Sequence, residues 1–178
     1  MGKGFSDLIV KRDSDFVEKI QITGFQPEDT EEMVDLFYTT VQTINRADYS
    51  KEAVAAWAPA EEQEYVCKEW KHSLLENQTY VAREEGKIIG FIDLRADGYL
   101  DRLYVHKDRQ RMGVASALWM KAEKWAMQEG IPTIWTFSSI TAKGFFERYG
   151  FQVMEPENVE RNGVLLTRFH MKKMLVEG

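Results

Sequence analysis

The segment Gln110-Arg111-Met112-Gly113-Val114-Ala115-Ser116 sets a glycine and several small residues where a helical pattern begins. The first four N–H groups of any helix lack internal acceptors, and the macrodipole gives that end about half a positive charge. One capping side chain would suffice to close such an end. Here the small residues leave several N–H groups approachable, so the segment either seats an anion, with phosphate the natural occupant, or is an ordinary helix start, a single glycine there being a weak signal by itself. Arg109 and Arg111 either add positive charge to this seat or are solvated surface residues. The familiar phosphate motifs are absent. No G-x-x-x-x-G-K-[ST] run occurs, and Gly113 stands alone where a dinucleotide fingerprint would need three glycines.

The elements that must position this seat can be read along the chain. "KIQITGF" alternates as a first strand, and "QPEDTEEMVDLFYTTVQTI" carries Met33, Leu36, Phe37, Val41 and Ile44 at helical spacing. "NRADYSKEAVAAWAP" predicts a short helix with Ser50 as N-cap and a stop by Pro59. "AEEQEYVCKEWKHSLLEN" predicts a third helix, with Tyr65, Trp70, Leu74 and Leu75 as its buried side. Three strands joined at Glu85-Gly86 and Asp97-Gly98 follow as an antiparallel meander. A helix over Met112–Glu129 comes next, then the strand "IPTIWTF", the short helix "TAKGFFERYG" and a hairpin around Asn162-Gly163. Residues 1–17 read as an N-terminal extension and residues 18–178 as one α+β domain with about seven strands.

Composition narrows the class. With 178 residues, 44% hydrophobic and 12% aromatic, the chain reads as one soluble globule. A net charge of −6 argues against nucleic acid as a partner, and either suits a cationic substrate or is an ordinary soluble background. Cys67 is the single cysteine, so neither an intrachain disulfide nor a cysteine-rich metal site is expected. His72, His106 and His170 lack metal-ligand spacing, and no metal is expected. No apolar run approaches a membrane span, and the first residues lack the apolar core of a secretory signal. A cytoplasmic setting without membrane attachment is the expectation.

Gln110-Arg111-Met112-Gly113-Val114-Ala115 fits the Q/R-x-x-G-x-G/A signature of the GNAT (Gcn5-related) N-acetyltransferases. The preceding "LDRLYVHKDRQ" resembles that family's fourth strand, and "TAKGFFERYGF" is similar to its A-x-x-x-[FY]-[FY]-x-x-x-G-F segment. Similarity of element order extends from about Glu18 to Met174. Asp48-Tyr49-Ser50, Ala56-Trp57 and "ERNGVLLTRFHM" resemble a subgroup of small bacterial-type acetyltransferases, although packing and turns account for those positions equally well. The resemblance implies a three-layer fold whose central mixed, mostly antiparallel sheet is flanked by helices.

It also implies acetyl-CoA as acetyl donor and a small-molecule primary amine as acceptor. The N–H groups from Arg111 through Met112, Gly113, Val114 and Ala115 to Ser116 would then cradle the pyrophosphate, with Gln110 opening the cradle. The backbone of Leu103, Tyr104 and Val105 would hold the pantetheine arm, and the Tyr104–Val105 backbone would meet the thioester oxygen. An alkyl amine is neutral about once in 2,500 molecules at pH 7, which calls for a base. Strand alternation predicts Tyr99, Asp101, Leu103 and Val105 on one face, and Leu100, Arg102, Tyr104 and His106 on the other. Asp101 is the candidate base, or else pairs with a nearby arginine and positions the strand; Asp93 is the second candidate. The position of the family's proton-donating tyrosine falls on Phe146, which has no proton to give. Phe145 and Phe146 predict one ring in the core and one, Phe146, against the coenzyme arm. Ser139 and Thr141 either touch the coenzyme or cap the short helix. Tyr38, Tyr49, Trp57 and Trp70 either line an acceptor pocket or are core. A noncatalytic acyl-CoA sensor, or a transferase of another acyl group, is the competing reading. The C-terminal hairpin offers a strand for pairing in a homodimer.

Overall fold

The computed structural model describes residues 19–175; the expected extension over residues 1–17 lies outside them. Seven strands form one sheet in the order β1-β2-β3-β4-β5-β7-β6, where β1 is Gln21–Gly24, β2 Gln78–Glu84, β3 Lys87–Leu94, β4 Tyr99–Val105, β5 Thr133–Ser139, β6 Gln152–Arg161 and β7 Val164–Met174. Neighbours are antiparallel except β4 and β5, which are parallel. Helices α1 (Thr30–Thr43), α2 (Lys51–Trp57) and α3 (Gln63–Glu76) cover one face; α4 (Val114–Gln128) and α5 (Ile140–Arg148) cover the other.

The two cores sit on opposite sides of the same strands. Val81 and Phe91 turn toward α1–α3, whereas Ala82 and Ile92 turn toward α4, as a two-residue period demands. The hairpin signals act as expected. Glu85-Gly86 and Asn162-Gly163 each hold two successive residues at positive φ, the geometry of a tight two-residue turn. Ser50 caps α2 by accepting from the Ala53 N–H at 3.0 Å. The expected buried side of α3 is corrected in part. Val66, Cys67, Trp70 and Leu74 pack inward, while Tyr65 and Leu75 are exposed, because each lies about 100° around the helix from that row.

The β4–β5 contact is short. The strands pair only at Tyr99↔Trp135 and Leu100↔Thr136, and the Thr136 hydroxyl donates to the Leu100 carbonyl at 2.8 Å. Beyond that point they diverge into a fork. Gly98 sits at its root with φ +90°, and a Cβ there would lie 2.2 Å from the Thr133 carbonyl oxygen. Gly98→Ala therefore combines left-handed strain with a backbone clash between the two strands. We expect a loss of about 3 kcal/mol, read as a Tm lowered by about 6–12 °C in thermal unfolding.

Candidate active site

Both helices that come after the forked strands start at its open end. Helix α4 begins at Val114 rather than Met112, because Arg111 (φ 58°) and Gly113 (φ 85°) are left-handed and cannot join a right-handed helix. No side chain caps Gly113, and the first helical bond runs from the Ala117 N–H to the Gly113 carbonyl. The N–H groups of Val114, Ala115 and Ser116 thus have no helical acceptor, as an anion cradle requires. Met112 precedes them in the loop, and Arg111 is exposed. Gln110 braces the loop, since its amide donates to the Val105 carbonyl at 2.7 Å and ties it to the strand end. Arg109 is tied to Glu84 at 2.8 Å.

At the other helix start, Ser139 accepts from the Ala142 N–H at 3.1 Å and so caps α5, while its side of β5 lines a cleft. Thr141 donates to Asp48 at 2.8 Å. The expected position of Phe146 against a coenzyme arm is not what the packing shows. Its ring is 3% exposed in the α4-side core, 5.0 Å from Phe151. Phe145 is half-buried beside Tyr149.

Along β4 the His106 N–H donates to the Ile89 carbonyl of β3. Backbone alternation then turns Leu103 and Val105 toward the fork and Tyr104 toward β3. The Val105 carbonyl meets the Thr40 hydroxyl as well as Gln110, which fixes that end of the strand. The side chains depart from the expected alternation. Asp93 pairs with Arg102 and Leu94 with Leu100, so Asp101 is an extra residue, a β-bulge. One inserted residue inverts the phase of the strand beyond it. Leu100, Leu103 and Val105 pack toward α4, while Tyr99, Asp101, Arg102 and Tyr104 all face the α1–α3 side.

That side opens as a cleft of about 730 Å³. Trp57, Trp70, Tyr49 and Tyr104 give it aromatic walls, and Tyr99, Phe137 and Ser139 carry it to the fork. Tyr38 is not among its walls; it is buried, with its hydroxyl on the Pro59 carbonyl at 2.9 Å. Glu62, Glu69, Asp101 and Glu160 bring carboxylates, and Arg102, Arg161 and Arg168 bring cations. Two of those cations are committed, Arg102 to Asp93 and Arg168 to Glu157. The balance favours a cationic guest. Burial pushes the Tyr99 phenol up to about 12 with Asp101 adding to the rise, and burial also raises Tyr104 and Tyr49. None of the three offers an easily lost proton.

Asp101 pairs with Arg102 at 3.2 Å, and its side chain is 31% exposed to the cleft. Asp93, the second candidate base, is fully buried and outside the cleft walls, which removes it from contact with an acceptor. Burial, resisted chiefly by Arg102, raises the Asp93 carboxyl from 3.8 to about 6. Folding therefore favours its protonated form: the stability it contributes is complete below pH 3.8 and is lost as pH rises through about 6. The loss amounts to about 3 kcal/mol. Asp93→Asn is expected to flatten stability between pH 4 and 6.5 relative to the parent chain, read from urea unfolding curves. Alternation placed Tyr99 beside Asp101 but missed Arg102, Phe137 and the mouth carboxylates Glu62, Glu69 and Glu160, since no local pattern marks residues that meet only across the sheet.

The fold agrees with the comparisons. Residues 45–175 match the family model of the acetyltransferase (GNAT) domain, and the chain belongs to that family of acyltransferases. The uncharacterized N-acetyltransferase YafP of Escherichia coli K12 is 35% identical over 156 residues, which is 88% of this chain and 97% of that protein. A GCN5-related N-acetyltransferase from Rhodopseudomonas palustris superposes with a TM-score of 0.80 at 28% identity, covering 86% of this chain and 94% of its own. The PaiA N-acetyltransferase of Thermoplasma acidophilum, solved with coenzyme A, gives 0.68 at 22% identity, covering 87% and 98%. Among the described residues no group of three or more metal-ligating side chains occurs, and no helix is long and apolar enough to cross a membrane.

Proposed function

We propose that the chain transfers an acetyl group from acetyl-CoA to a small cationic primary amine by direct attack on the thioester. One observation carries this reading: the β4–β5 fork has an uncapped helix start beyond one strand and an acidic, aromatic cleft on the opposite face. A long donor and a separate acceptor can thus meet at the fork from different sides. Coenzyme A in the PaiA structure supports the donor.

In this scheme the Val114, Ala115 and Ser116 N–H groups hold the pyrophosphate, and the fork-facing backbone of Leu103 and the N–H of Val105, whose carbonyl is already taken by Thr40 and Gln110, pair with the amides of the arm. The thioester of the donor supplies the acetyl group. Asp101 takes a proton from the ammonium, the freed amine nitrogen bonds to the carbonyl carbon, the carbon–sulfur bond breaks, and the proton that the nitrogen then sheds passes to the departing thiolate. The departing sulfur needs no strong acid, since a thiol of pKa ~8.5 is a tolerable leaving group. Phe146 is accordingly no obstacle to turnover. Trp57 supplies a ring face for the ammonium, the Trp70 ring being already covered by Arg102.

The test is thiol release from acetyl-CoA with a panel of primary amines, namely putrescine, 2-phenylethylamine, lysine and an aminoglycoside, beside calorimetric titration of acetyl-CoA. Micromolar donor binding with turnover of at least one cationic amine is the expected result. Donor binding without turnover of any would favour a sensor, and no donor binding would overturn both.

A further inference from the structure

Arg102 is held by two carboxylates at once. Its Nη1 lies 2.8 Å from Asp93 Oδ2, and its Nη2 lies 3.2 Å from Asp101 Oδ2 and 2.7 Å from the Ser73 hydroxyl. The guanidinium also stacks 4.6 Å over the Trp70 ring, a wall of the cleft. Little freedom is left to it. The Asn77 amide donates to Asp93 Oδ2 at 2.7 Å, yet Asp93 Oδ1 is buried with no partner. A fully buried carboxylate half satisfied in this way costs folding free energy, and a role in the site would account for its presence.

The bulge explains the arrangement. With regular pairing, Asp101 and Arg102 would face opposite sides, and no single guanidinium could bridge a buried and an exposed carboxylate. We propose that Asp93 is a positioning residue for Asp101: through the guanidinium that the two share, its charge keeps Asp101 an effective proton acceptor, and its protonation disables it. This rests on the reading of Asp101 as the base. With Asp93 ionised, the charge of Arg102 is neutralised from behind. When Asp93 takes a proton, Arg102 is left to Asp101 alone, holds that carboxylate as a tight ion pair and makes it a poorer base. The charged groups acting on Asp93 are Arg102 and Asp101 of β4; the Tyr99 phenol of the same strand feels its charge, and α3 presents Ser73 and, farther toward the mouth, Glu69. Thr79 lies opposite Asp93 on β2 and is neutral.

The test monitors the carboxyl carbon of Asp101 by NMR in carbon-13-labelled protein, its signal assigned by loss in Asp101→Asn, so no acceptor is required. The parent chain is expected to show an inflection of this signal at a pH of about 6, where Asp93 titrates. Asp93→Asn should abolish it. Asn77→Ala leaves Asp93 in place but removes a hydrogen bond to its anion, so the inflection should move up by about 0.5–1 pH unit; this variant decides the matter if Asp93→Asn does not fold. A signal without an inflection near 6 in the parent, or one unmoved in both variants, overturns the coupling. Unchanged turnover in Asp101→Asn would instead overturn Asp101 as base and leave the coupling standing, so the two failures are told apart.

Discussion

Gly113→Asp is expected to weaken coenzyme A binding at least about a hundredfold, or about 2.7 kcal/mol. Two physical effects combine. At φ 85° any L-residue pays for the left-handed region, and aspartate pays less than most. The larger effect is electrostatic. A carboxylate at Gly113 would enter the seat formed by the Val114, Ala115 and Ser116 N–H groups, satisfying the donors meant for a phosphate and repelling its charge. Gly113→Asn separates the two effects, since it has the same shape without the charge. We expect a loss of about tenfold for asparagine and the full effect for aspartate, measured by titrating coenzyme A and desulfo-coenzyme A in a calorimeter. Equal affinities in the parent and Gly113→Asp would move the pyrophosphate away from this helix.

Asp101→Asn should lower kcat by about 10²–10³, leaving the KM for acetyl-CoA within about twofold. Asparagine keeps the shape of the side chain and can still contact Arg102, so the loss reports proton transfer rather than collapse of the bulge. The pH dependence provides the sharper mark. With a working carboxylate, an ammonium bound beside it gives up its proton to that carboxylate within the site, and the rate is nearly flat from neutrality upward. Without it, only the neutral amine reacts, and the rate should climb about tenfold per pH unit until the amine's own pKa is reached. A variant with the parent's flat profile and rate would assign Asp101 to holding the strand.

How much was legible in the sequence depends on how local each feature is. Glu85-Gly86 and Asn162-Gly163 name their turns because successive positive φ values are easy only for such residues. Ser50 and Ser139 cap the helices that begin just after them because a side-chain oxygen there reaches an N–H three residues on. Phe146 shows the limit: adjacent phenylalanines point to one inward and one outward ring, but α5 turns Phe146 inward, against the expectation. Tyr65 and Leu75 were lost the same way, through a helix phase set by the surface on which α3 packs.

The sequence by itself determined the order of elements, the membership of the hairpins and the open helix start at Gly113, because each rests on backbone preferences within a few neighbouring residues. Only the tertiary structure decided that Asp101 is a bulge, that Arg102 is thereby brought to its side, and that Asp93 reaches the cleft solely through that arginine. The reason is register. A strand's alternation is periodic only while it is paired one for one, and the extra residue in β4 is defined by its partner β3, which no pattern within β4 contains.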